Sequence, residues 1–158
     1  YGLLGLPGLF AYAAVNRLNA RAGFRADGFE HAAFVVRRLA AALNFFPARI
    51  AGVLVAGAVA FAPGGRPAAA LRAIPPHARK HRNQAAGWTQ AALAGGMGLA
   101  LGGQRIYQAE IVNEGWIGDG RARLGGNDLR RCAWTLAVAG LLMGLLTLLV
   151  ALARAASL

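Results

Sequence analysis

The sequence predicts an all-α fold: a multi-pass helical membrane protein with amphipathic and re-entrant helices joined by basic loops. Three observations predict it. The chain is 57% hydrophobic and only 15% charged, whereas a disordered basic tail is poor in aliphatics. The charges cluster between long uncharged runs, as the loops between membrane segments do. The excess is basic, 17 Lys+Arg against 6 Asp+Glu for a net +11. In a nucleic-acid module such charges would be interleaved with a modest core, and here they flank apolar runs, so no nucleic-acid partner is expected. The single cysteine, Cys132, permits no intrachain disulfide and no cysteine metal site. All the basic residues but Lys80 are arginines, which with the heavy Ala and Gly usage suits a GC-rich bacterial genome.

Taken in order, residues 1–16 are uncharged and read as the exit half of a span kinked at Pro7. The chain opens on Tyr1 with no start Met or basic n-region, so it reads as continuing from an earlier segment and not as a signal peptide. Asp27 and Glu30 have the spacing of a helix start. Ala32, Val36, Leu39 and Leu43 then form an apolar stripe, predicting an amphipathic helix on the membrane or on a bundle. The apolar region 39–62 is broken by Asn44, Pro47 and Arg49. Its uninterrupted part, residues 50–62, is short for a span and reads as re-entrant or bundle-buried. Residues 66–82 carry Arg66, Arg72, Arg79, Lys80 and Arg82 without an acid, and the positive-inside rule places that loop in the cytoplasm.

Residues 84–103 are uncharged but rich in glycine and amides, which suits packing against protein or a cavity better than lipid. Residues 105–131 hold four of the six acids and a turn-like stretch from Trp116 to Gly120. The clearest span is residues 133–153, 21 residues without a charge. As a helix it is roughly 31 Å long, enough to cross a hydrocarbon core of about 30 Å. Gly140 and Gly144 in it form a G-x-x-x-G, through which another helix could approach. The expectation is one membrane-embedded domain over residues 1–158, with spans near 1–16, 50–62, 84–103 and 133–153.

Few constellations carry chemistry. His77 and His81 have the four-residue spacing of helical metal ligands. However, Pro75 and Pro76 disfavour helix just before them, and the neighbouring cations point to a solvated basic loop that meets anionic lipid or phosphate. The glycines at 95, 96, 98, 102 and 103 fail the dinucleotide fingerprint, because Leu101 stands where it needs glycine, and no P-loop ending follows. Arg49 lies between apolar stretches. A guanidinium there either anchors to headgroups or has a partner or a function. No serine triad, carboxylate pair or zinc-protease motif can be assembled. No carboxylate lies inside an apolar run, which argues against an ion-coupled transporter.

Several segments in order resemble the CobD/CbiB family, the adenosylcobinamide-phosphate synthases of cobalamin biosynthesis. They are Gly5-Leu6-Pro7-Gly8 with Ala11-Tyr12 and Val15-Asn16, then Asn44 with Pro47-Ala48-Arg49. His81-Arg82 follows, with Ala86-Gly87-Trp88, Ala94-Gly95, Leu101-Gly102-Gly103 and Tyr107, and then Ile117-Gly118-Asp119 and the last hydrophobic helix. The resemblance covers nearly the whole chain and corresponds to the later part of the family's length.

The resemblance implies a multi-pass protein of the bacterial cytoplasmic (inner) membrane. It implies ATP-dependent amide formation between adenosylcobyric acid and aminopropanol or its phosphate, with ATP and Mg²⁺ as cofactors. Its partners would be the corrinoid substrate, the lipid bilayer and other cobalamin-biosynthesis membrane proteins. Carried over residue by residue, Arg49, His81 and Arg82 are the expected catalytic phosphate contacts. Asn16, Asn44, Gly87, Trp88, Gly102, Gly103 and Asp119 are the expected substrate-binding positions, and the metal ligands are unknown. The chain departs from the family where a pair of aspartates is replaced by Ala40 and Ala41. Further departures are Ala13, Asn19-Ala20-Arg21, Asn83-Gln84-Ala85 and Thr89-Gln90. The losses fall on carboxylates and other polar groups, so the alternative is a catalytically degenerate paralogue, a pseudoenzyme acting as a membrane scaffold or partner subunit, with no cofactor. Loss of a carboxylate pair would remove charge that positions Mg²⁺.

Overall fold

The computed structural model describes residues 5–21, 30–81, 83–107 and 110–156. It is mostly helical. Six α-helices, α1 (Gly5–Arg21), α2 (Glu30–Leu43), α3 (Phe45–Ala58), α4 (Pro67–His77), α5 (Gln84–Met97) and α6 (Gly126–Ala156), are joined by two 3₁₀ turns, Val59–Phe61 and Ala78–Lys80. Two strands, β1 (Leu101–Tyr107) and β2 (Glu110–Ile117), pair as an antiparallel hairpin. The chain divides into two compact units, residues 1–46 with 150–158, and residues 47–149.

In the first unit α1 and α2 are joined by side-chain amides. The Tyr12 hydroxyl donates to Asn44 Oδ1 at 2.7 Å, and Asn44 Nδ2 donates to Asn16 Oδ1 at 2.8 Å. Asn44 Nδ2 also reaches Ala40 O at 2.8 Å, and Asn16 Nδ2 reaches Tyr12 O at 3.0 Å. The expected helix start at Asp27 lies outside the described residues. The expected apolar stripe of α2 is turned inward only in part. Leu39 and Leu43 are 48% and 40% exposed, while Ala33, Val36, Ala40 and the following Asn44 lose exposure. Asn44 settles the rotation, since its bonds to α1 bring the stripe of small residues inward.

The second unit packs α3, α4 and α5 around a core built largely of alanine, with Val55, Val59, Ile74, Leu93, Met97, Leu99 and Ile117. Small side chains let helices approach closely, and two glycines bring them closer still. A methyl on Gly95 would run into Ala73 and Ala69 of α4, and one on Gly96 would lie 2.7 Å from Val59 Cγ2. Helix α4 starts with Pro67 in its first turn, a position that needs no N–H. It also contains Pro75 and Pro76, where the sequence predicts a break. Both sit in the last turn, so their missing N–H groups cost bonds only to the carbonyls of Leu71 and Arg72, and both of those residues are exposed.

The uncharged run that reads as one segment over 84–103 is two elements. Asn83 caps α5 by accepting from Ala85 N at 3.1 Å. Gly98, left-handed at φ 66, ends it. The hairpin that follows corrects the all-α expectation. Its register runs from Leu101 opposite Ile117 to Tyr107 opposite Glu110, with a bulge between Leu101 and Gly103. Ile106, Tyr107, Ile111, Val112 and Trp116 are residues of high strand preference, and β1 and β2 complete each other's backbone bonds.

Helix α6 buries one narrow face through Asp128, Thr135 and Ala139, with Cys132, Val138 and Leu142 packed against the core. From Gly144 to Ala156 every residue is exposed. Nothing lies within 4 Å of a methyl built on Gly140 or Gly144, so among the described residues no helix approaches the G-x-x-x-G. This is the one described helix long and apolar enough to cross a membrane; α2 and α3 pass that test only together, interrupted at Asn44.

Candidate functional site

Where α4 runs out, its last residue turns inward. The His77 side chain is 4% exposed, with Nε2 3.2 Å from Asp119 Oδ2 and Nδ1 3.1 Å from Lys80 Nζ. An ammonium only donates, so Nδ1 accepts and Nε2 carries the proton that goes to Asp119. The contacts specify a neutral imidazole in one tautomer. A buried ring thus bridges an exposed ammonium and a carboxylate that is 91% exposed.

Asp119 reaches His77 because of the residue before it. Gly118 is at φ 89, and a methyl there would lie 2.8 Å from Ala94 Cβ and collide with Leu99 O. Only glycine fits that turn against α5. On the other side, Gly115 of β2 passes the turn that carries Lys80, with a built methyl 3.8 Å from Lys80 Cβ.

His81 lies just past Lys80, half-buried, and its Nδ1 accepts the Asn83 N–H at 2.9 Å. Gly87 of α5 crosses beneath it, where a methyl would strike Ala78 O and approach His81 Cβ to 3.2 Å. Glycine at 87 is therefore accounted for by this crossing. Arg82 lies outside the described residues.

A second grouping joins α3 to α5. The Arg49 guanidinium carbon sits 4.6 Å from the Trp88 ring centroid, an attraction worth roughly 0.5–2 kcal/mol depending on desolvation. Gly52, one turn along α3, permits the approach, since a methyl there would lie 3.2 Å from Trp88 Cβ. Gly102 and Gly103 form the hairpin bulge at φ 96 and 84, and a methyl on Gly103 would lie 2.6 Å from the Trp116 ring. Gly102 and Trp116, with Gln90, Leu101 and Leu124, line an open cleft of about 360 Å³.

The structure thus brings Arg49 to Trp88, Gly87 to His81, and Asn16 to Asn44. It places Asp119 with two residues outside the expected site, His77 and Lys80. The expected solvated loop is corrected for His77, because its acceptor comes from 42 residues downstream. The His77–His81 spacing was the available signal; the local excess of cations concealed it. Among the described residues no group of three or more His, Cys, Asp or Glu converges. Arg49 and Lys80 have the chemistry to contact phosphate.

Fold and site together define a helical, membrane-capable protein with a cationic, histidine-bridged polar site. The sequence model of the family described as CobD/Cbib protein matches residues 1–137. The cobalamin biosynthesis protein CobD of Rhodobacter capsulatus is 37% identical over 113 residues, 72% of this chain and 34% of that protein. The CobD of Brucella suis is 40% identical over 111 residues, 68% of this chain and 33% of that protein. The CobD of Yersinia enterocolitica is 32% identical over 142 residues, 90% of this chain and 44% of that protein. The chain belongs to the CobD/CbiB family, and it spans between a third and a half of the length of these relatives. No solved structure matches it.

Proposed function

We propose that this protein serves cobalamin biosynthesis in the bacterial inner membrane as an ATP-dependent carboxylate–amine ligase, joining adenosylcobyric acid to aminopropanol or its phosphate. The observation that carries this reading is the family match over residues 1–137. The exposed apolar length of α6 supports the membrane location, and the exposed cations Arg66, Arg72, Arg79 and Lys80 support a cytoplasmic side for the stretch 66–82.

ATP, when bound, supplies the phosphoryl group that activates the corrinoid carboxylate. The chain's own residues then bind and orient. Arg49, braced on Trp88, and Lys80, held by His77, present cations to phosphate oxygens. Asp119, fixed by the His77 Nε2 proton, presents a carboxylate to the incoming ammonium and takes a proton from it. The Trp116 cleft offers an aromatic face to a large flat substrate.

The second reading, a degenerate paralogue acting as scaffold or partner subunit, is favoured by one observation. Position 40, where the family tends to carry aspartate, is an alanine 2% exposed. Complementation separates the two. The full-length protein is expressed in a bacterium lacking its own synthase and supplied with cobyric acid. Cobinamide formation is expected for the ligase. None, despite correct membrane insertion, leaves the paralogue.

A further inference from the structure

The boundary of the apolar run in α6 is crowded. Trp134, 57% exposed, donates its indole N–H to Phe61 O at 3.2 Å, and Phe61 is itself 65% exposed. Beside them the Arg131 guanidinium lies against the turn at Gly64, where a built methyl would be 3.3 Å from Nη2. Arg131 Nε is buried without a hydrogen-bond partner. The nearest acid, Asp128, is taken up by Arg121 and by the Gly125 N–H. At 3.8 Å from Arg131 Nη1 it neutralises that charge only in part. Arg66, exposed, follows two residues after Gly64.

We propose that Phe61, Arg66, Arg131 and Trp134 form a headgroup-level site that takes the phosphate of an anionic membrane lipid and fixes the depth of α6 in the bilayer. The inference rests on the membrane reading above. Amphipathic aromatic rings favour the interface, where one side is apolar and the other wet. Two arginines at that level favour anionic over zwitterionic headgroups. A lipid, and not free phosphate, is the occupant because the cations are continuous with an exposed aromatic pair and with the uncharged run 133–153.

The test titrates phosphatidylglycerol, phosphatidylcholine or inorganic phosphate into the full chain in neutral detergent and follows the melting temperature. Phosphatidylglycerol is expected to raise it saturably, and the other two are not. Arg66→Gln and Arg131→Gln should each raise the half-saturating phosphatidylglycerol fraction about 5-fold, the equivalent of about 1 kcal/mol per basic residue. Arg123→Gln, the same charge change in another loop, should leave it unmoved. Should Arg131→Gln fail to fold, Arg66→Gln carries the same expectation. Equal responses to the two lipids, a shift reproduced by inorganic phosphate, or wild-type behaviour of Arg66→Gln overturns the site. Flotation with phosphatidylcholine liposomes tests the membrane reading separately. A chain that does not float overturns both, and one that floats without preferring phosphatidylglycerol overturns the site alone.

Discussion

At the scale of single residues the molecule turns on His77, whose ring satisfies both nitrogens at the end of α4. His77→Ala removes a buried ring and two hydrogen bonds, one to an exposed carboxylate that water can resolvate. The expected loss is about 1–2 kcal/mol, or roughly 3–6 °C in Tm for a chain of this size. His77→Gln keeps a donor and an acceptor and should recover most of it. Thermal melts of the two variants check this, and equal losses would mean that packing alone matters. Gly118→Ala tests the turn that delivers Asp119. At φ 89 and against Leu99 O, an added methyl meets both backbone strain and a collision. A loss of about 2–4 kcal/mol is expected, together with a fall in any amide-forming activity beyond what the folded fraction explains. The sequence offered Asp119 and His81 through a resemblance, and Arg49 through its odd apolar surroundings. It could not offer the bridge itself. Burial of a histidine among cations is decided by which distant carboxylate folds onto it, and spacing along the chain does not encode that.

Among the elements, α5 shows how local chemistry sets boundaries that composition blurs. Over residues 83–104 the chain is uniformly uncharged, so hydropathy alone reads one segment. The cap at Asn83 and the left-handed Gly98 divide it into a helix and the approach to a strand. Asn83→Ala should cost about 1 kcal/mol by orphaning an N-terminal amide, measurable as a lower denaturation midpoint with an unchanged slope. The hairpin was hidden for a related reason. Residues 105–131 read as an acidic stretch with a turn, whereas the backbone ladder pairs Arg105 with Val112 and Ile106 with Ile111. In α4 the two prolines mislead in the opposite sense, because a proline breaks a helix that must continue, and this one ends at His77. Of the stripe of α2, Val36 loses exposure together with Ala33 and Ala40, on the side where Asn44 bonds to α1, while Leu39 and Leu43 stay exposed.

At the level of the whole molecule, α6 bears on the medium the proposed function assigns to the protein. Its narrow buried face leaves Leu136, Leu141, Leu145, Leu148 and Leu149 between 50% and 74% exposed. In water such a surface would drive association, since patches this large are rare on soluble monomers. In lipid it costs nothing, because a helix satisfies its own backbone bonds and its leucines match the acyl chains. The uncharged run 133–153 centres near Leu141 and Leu145, so charges introduced there must sit at the bilayer midplane. Each arginine at that depth costs about 2.5–3.5 kcal/mol on insertion scales. The double variant Leu141→Arg/Leu145→Arg is therefore expected to lose at least about tenfold of the carbonate-resistant membrane fraction. Leu141→Ala/Leu145→Ala, which keeps the helix apolar, should lose little. Retention of the arginine variant in carbonate-washed membranes would place α6 against protein instead of acyl chains, and the bilayer-crossing role would then fall to other segments.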